Sequence, residues 1–155
     1  MRRKDREITD REVIEDIISR ADVCRVSFAD NNIPYMVTMN FGYTAEETSC
    51  LWFHCASAGR KLDFLGRNNY VCFEMDTDHR LYEGTDGCDW GMKFSSVVGY
   101  GRIVIVEDTH NRLAGLGAIM KHYTGRDDFN YNDSILRNTT VLRLDIEEMT
   151  GKRKS

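Results

Sequence analysis

Apolar residues recur along this chain with two different periods, and the switches between them divide it into elements. In residues 9–20, TDREVIEDIISR, the residues Val13, Ile14, Ile17 and Ile18 follow the i, i+3, i+4 spacing of an amphipathic helix. Thr9 or Asp10 can cap its start, and Glu12 stands at capping-box distance from Thr9. Such a helix covers one end of a sheet. From Ala21 the period falls to two. Residues 23–28 (VCRVSF) predict a strand, 29–32 (ADNN) a hairpin turn and 34–43 (PYMVTMNFGY) the partner strand, with Pro34 first, where its missing N–H does least harm. A polar loop from Thr44 to Ser49 leads into a strand over 50–54. Leu62, Phe64 and Leu65 mark a short helix ended by residues 66–69 (GRNN), and a strand over 70–75 follows. Residues 76–92 are polar, rich in Gly and Asp, and show no regular pattern. A long strand over 93–106 carries Gly99 and Gly101, the mark of a bulge or barrel corner. Residues 109–123 predict a helix with Leu113, Leu116, Ile119 and Met120 on one face. An irregular loop over 124–134 and a last strand over 139–146 complete the pattern, leaving 149–155 as a basic, solvated tail. The first 55 residues thus read as a meander, which closes most economically into a barrel or sandwich.

Length and composition narrow the classes. The 155 residues, 41% apolar and 30% charged with one proline, suit a single globular domain. A net charge of −4 gives no general electrostatic reason to expect nucleic acid. No apolar run is long enough to span a membrane. The opening MRRKDREITD has no secretory h-region. Five cysteines (Cys24, Cys50, Cys55, Cys72 and Cys88) lack paired spacing, which argues against a disulfide framework or a structural zinc site. A reducing cytoplasm is the expected location.

The candidate chemistry lies in residues 51–73, LWFHCASAGRKLDFLGRNNYVCF. An apolar strand delivers a turn of small residues, 55–59, and then two adjacent cations, Arg60 and Lys61, at a helix start. Backbone N–H groups, the helix N-terminus and both charges favour an anion there. Arg can bind phosphate oxygens in pairs, and Lys acts as a movable point charge. His54 shares a strand face with Trp52 and not with Phe53. Its roles as a proton source, as a hydrogen-bond donor and as a haem ligand all stay open. A positive field beside Cys55 would lower its thiol pKa. Trp90, Tyr82 and Trp52 are candidates for covering a flat ring. His79, His110 and His122 share no spacing and are expected at the surface.

The stretches PYMVTMNFGY, LWFHCASAGRKLDFL and KFSSVVGYGR, in this order and spacing, resemble the flavin-binding split barrels of the pyridoxamine phosphate oxidase-like superfamily. The opening residues and the FH…GRK pattern most resemble its nitroimidazole-resistance branch. The resemblance covers residues 1–148, taken as one domain. It implies a mainly β fold with flanking helices, a six-stranded antiparallel Greek-key split barrel, and a homodimer holding FMN between subunits. By position, Tyr35, Met36, Val37, Thr38, Met39 and Asn40 would run along the flavin ring, and His54 and Cys55 would meet the ribityl chain. Arg60 and Lys61 would grip the phosphate, while Ser95 and Ser96 would reach the flavin from the partner subunit. FAD, deazaflavin and haem are the alternative cofactors. The implied activity passes electrons from NADH or NADPH through flavin to a small acceptor, with His54 as the catalytic candidate. A flavin or haem carrier without turnover is the rival. The chain lacks the Arg-rich C-terminal pattern of the oxidase proper, and Ser96 stands where that enzyme has glutamine, so vitamin B6 oxidation is not expected.

Overall fold

The structure, a computed structural model, describes residues 3–45 and 48–155. A 3-10 turn (Lys4–Arg6) precedes β1 (Glu7–Ile8), α1 (Arg11–Arg20), β2 (Cys24–Asp30), β3 (Ile33–Met39), β4 (Gly42–Ala45) and β5 (Ser49–Ala56). Then follow α2 (Arg60–Leu65), β6 (Tyr70–Tyr82), β7 (Gly91–Val106), α3 (Thr109–Thr124), α4 (Asp133–Arg137) and β8 (Thr139–Lys154). Asp10, not Thr9, caps α1, its carboxylate accepting from the N–H groups of Glu12 and Val13. The β2–β3 hairpin turns on Asn31 and Asn32, both at positive φ (47° and 63°). A two-residue turn that matches strand twist needs that conformation, and Asn tolerates it.

One antiparallel sheet runs in the order β3-β2-β6-β7-β8-β5-β4, with β1 paired to β8. The strand expected over 34–43 is therefore two. β3 pairs with β2 and β4 pairs with β5, so the chain crosses from one sheet edge to the other at Asn40 and Phe41 and closes the barrel covalently. Phe41 is fully buried there and its N–H donates to the Tyr123 hydroxyl. This split and the two-residue β1 raise the strand count from six to eight. Residues 46 and 47, in the middle of the expected 44–49 loop, lie outside the described residues.

Two further expectations are corrected. Residues 76–82 and 91–92 are strand, which leaves the irregular stretch as a loop over 83–90: β6 and β7 extend as an arm through Arg80↔Lys93, Leu81↔Met92 and Tyr82↔Gly91. Both faces of this arm are largely exposed, so no alternation of apolar residues announced it. The 149–155 segment is not a free tail. Met149 to Lys154 pair with Gly99 to Phe94 of β7, and Gly151 and Lys152 also pair with β1. Backbone pairing on both sides holds a polar stretch in the sheet, where no side-chain period would signal a strand. The bulge expected near Gly99 and Gly101 is present, the β7–β8 register shifting between Tyr100 and Gly101.

Successive residues of β5 feed two cores. Leu51 and Phe53 join Ile14, Ile17 and Ile18 of α1, Phe28, Phe41 and Phe73 in the barrel interior. Cys50 and Trp52 face the other way, against Val106, Leu116, Ile119 and Val141 under α3. Burial on both faces explains the unbroken apolar run at 50–53. The helix α3 lies so close that a Cβ on Gly42 would stand 2.4 Å from the Ala118 backbone, and one on Gly115 2.4 Å from the Trp52 ring. Leu113, expected on the packed face, is 38% exposed; Gly115 lies against Trp52 and Val141 instead.

Candidate functional site

The turn after β5 brings Arg60 beside β3, while the Lys61 charge acts on Cys55. The Arg60 guanidinium carbon lies 4.8 Å from the Tyr35 ring centroid and 5.6 Å from that of Phe64, and the two rings stand 5.3 Å apart. Cation–π attraction and packing thus tie the turn to the edge strand. Gly59 begins α2 at φ 144°, outside the range an L side chain readily adopts. Among the described residues neither Arg60 nor Lys61 is in an ion pair, although most arginines of the chain are. Among the described residues β3 pairs only with β2, so its second backbone edge, along Tyr35 to Met39, can meet a polar group. Side chains alternate there: Tyr35 and Val37 pack toward the core, Met36 and Thr38 are exposed, Met39 is buried and Asn40 is exposed.

Cys55 and His54 point to opposite faces of β5. Cys55 packs against the barrel core. Burial pushes its thiol pKa up and the Lys61 charge opposes this without overcoming it, which corrects the expected activated thiol. His54 is exposed on the α3 side. It lines an apolar cavity of about 410 Å³ together with Leu116, Ile119, Met120, Tyr131 and Leu136. The Tyr131 hydroxyl is buried in that region with no hydrogen-bond partner among the described residues, and burial raises its pKa. A cavity with an apolar wall, an imidazole and an orphan hydroxyl suits a small, mostly apolar molecule carrying one or two polar atoms.

Much of this cavity escaped the sequence. Tyr131 and α4 follow a stretch with no periodicity, although Asn132 caps α4 through Ser134 N–H, and that spacing was a readable helix start. Ser95 and Ser96 lie elsewhere, on β7. Ser95 is buried and its hydroxyl accepts from Arg153 Nε at 3.1 Å; Ser96 pairs with Asp76 and Lys152. No described contact joins them to Arg60 or Lys61 within one chain. The three large aromatics are also apart. Trp52 is buried and donates from its indole to Thr44 Oγ1, Tyr82 sits beneath Lys154, and Trp90 is 44% exposed. His122 is structural, half-buried with Nε2 2.8 Å from the Ala21 carbonyl and its ring 4.3 Å from Phe41, not a free surface residue.

Comparison with known proteins bears on this geometry. The family profile for pyridoxamine 5′-phosphate oxidase matches residues 10–153. A candidate 5-nitroimidazole antibiotic resistance protein from Bacteroides thetaiotaomicron is 36% identical, covers 95% of this chain and 86% of its own, and superposes with a TM-score of 0.83. The flavocytochrome Anf3 from Azotobacter vinelandii (19% identity, 100% and 72% covered, TM-score 0.82) shares the fold. So does the FAD and heme binding protein from Mycobacterium smegmatis (15%, 97% and 74%, TM-score 0.81). No curated protein gives a significant match.

Proposed function

Because the chain belongs to the pyridoxamine 5′-phosphate oxidase family, in company with a nitroimidazole-resistance relative, we propose that it is an FMN-dependent oxidoreductase. It would take electrons from NADH or NADPH and pass them to a small acceptor. The observation that carries this reading is Arg60, with Lys61 next to it in the chain, set beside the outer backbone edge of β3, neither cation being in an ion pair among the described residues. The residues present fit a flavin. Arg60 and Lys61 would hold its phosphate, and the β3 backbone from Tyr35 to Asn40 would meet the polar edge of the ring. When bound, the flavin supplies the hydride and electron chemistry. The chain supplies position: Cys55 fills the barrel side of the seat, and His54 offers an imidazole N–H to an acceptor in the apolar cavity.

A homodimer belongs to the same proposal. Met36, Ser27, Cys72 and Tyr100 form one row across the sheet, and Tyr70, Tyr100, Val98 and Val104 leave its outer face apolar and exposed. A second copy on that face would bury it. Ser95 and Ser96 would then approach the partner's flavin. Five cysteines with no disulfide among them support a cytoplasmic setting. The test is the spectrum and turnover of the purified protein. Flavin absorption with NADH or NADPH oxidation that depends on an added acceptor is expected; colourless protein that ignores added FMN would refute the reading. His54 facing an apolar cavity favours one rival, a haem carrier, which predicts a Soret band that His54→Ala abolishes.

A further inference from the structure

At the root of the β6–β7 arm, far along the sheet from α2, a recess of about 180 Å³ is lined by Arg80, Lys93, Arg153 and Lys154, with Phe94, Ser95, Asp78 and Ser155. Among the described residues, none of the four cations is in an ion pair. The local carboxylate, Asp78, is already engaged. It pairs with Arg20 of α1 and takes a hydrogen bond from Ser95, which with the Arg153 charge hold its pKa low. Arg153 is fixed by its bond to the buried Ser95 hydroxyl, and Lys154 Nζ sits 4.7 Å over the Tyr82 ring.

The register makes this concentration of charge a built feature. A bulge in β6 shifts the pairing between Thr77 and Arg80, with Asp78 at φ 61°. Its result is that Arg80 stands directly opposite Lys93. Like charges facing each other across a ladder are destabilising, and two more cations from β8 join them in a chain whose net charge is −4. Bound negative charge relieves that repulsion. We propose that this recess, beside the Ser95 that the proposed dimer carries toward the partner's flavin, binds the phosphate group of a small phosphorylated molecule without drawing on either chain's Arg60–Lys61 seat. Arg80 and Lys93 would approach from the arm and Arg153 and Lys154 from β8. The guanidinium of Arg153, already held by Ser95, presents its remaining N–H donors, and the three flexible cations close around the phosphate oxygens.

The experiment titrates inorganic phosphate and pyrophosphate into the purified protein at constant ionic strength maintained with sodium chloride, read by calorimetry and by thermal stability. Saturable binding is expected, pyrophosphate tighter than phosphate. Arg80→Gln/Lys93→Gln should weaken it by about tenfold or more. Arg80 is exposed and Lys93 half-buried on the arm, and circular dichroism checks that the variant keeps its fold. Arg60→Ala/Lys61→Ala should bind pyrophosphate as the wild type does while losing FMN affinity. Three results overturn the proposal: no saturable heat beyond the chloride control, unchanged affinity in the Arg80/Lys93 variant, or loss of pyrophosphate binding in the Arg60/Lys61 variant. Repeating the titration on FMN-saturated protein separates the sites, because displacement of flavin by pyrophosphate would place the anion in the flavin seat.

Discussion

Replacing both seat cations, Arg60→Ala with Lys61→Ala, tests affinity and fold independently. A hydrogen bond to a charged group contributes about 1.5–3 kcal/mol. Arg60 is exposed and Lys61 half-buried, so water and salt compete for both and the lower end applies. Two such contacts give about 3 kcal/mol, or roughly a hundredfold rise in the FMN dissociation constant. The fold should hardly notice. Arg60 touches only the Tyr35 and Phe64 ring faces among its described ring contacts, worth about 0.5–1 kcal/mol at an exposed site. Quenching of flavin fluorescence at fixed ionic strength measures the first quantity, and urea unfolding of the apoprotein the second. An affinity within about threefold of wild type in a variant that unfolds normally would refute the seat. A large loss of stability would instead show that the two cations hold the barrel together. Raising salt should weaken wild-type binding more than the variant's, because the removed contacts are the screened ones.

Four other outcomes follow from the packing and the titrations. Gly115→Ala drives a Cβ to within 2.4 Å of the Trp52 ring and 3.0 Å of Val141, so thermal unfolding should show a loss of about 1–3 kcal/mol; Gly87→Ala, with nothing within 4 Å, should be neutral. Removing residues 149–155 unpairs β7 from Phe94 to Gly99 and should cost about 3 kcal/mol or more, whereas a solvated tail would leave denaturant midpoints unchanged. Iodoacetamide at pH 8 should label exposed Cys88 first, Cys55 slowly because burial raises its pKa, and Cys24 last; mass spectrometry of tryptic peptides reads the order, and rapid labelling of Cys55 would contradict its packing. The Ser95 hydrogen bond and the Arg20 pair depress the Asp78 pKa, so its stabilisation is full above the ordinary carboxylate range and is lost as pH falls through the depressed value. Asp78→Asn should flatten that part of the acid limb of a stability–pH curve; an unchanged limb would show that the pairing contributes nothing.

Local pattern determined most of the elements and marked the candidate seat. Ile14, Ile17 and Ile18 specify one buried helix face and the unbroken run at 50–53 a strand, and the order turn, Arg60, Lys61 suggests a candidate anion seat, because each signal sits within a few residues of its cause. Only the tertiary structure decided what depends on distant partners. Asn40 and Phe41 look like mid-strand residues until β2 and β5 claim the two halves of that strand from opposite sides. Residues 149–154 become a strand because β7 pairs with all six and β1 with Gly151 and Lys152, a force that leaves no side-chain period. His54 and Cys55 are neighbours in sequence, yet the pleat sends one under α3 and the other toward the barrel. Opposing Arg80 to Lys93 needed a bulge whose partner strand lies beyond the turn. Side-chain spacing encodes which face is buried; pairing free energy, summed over strands far apart in the chain, settles what that face meets.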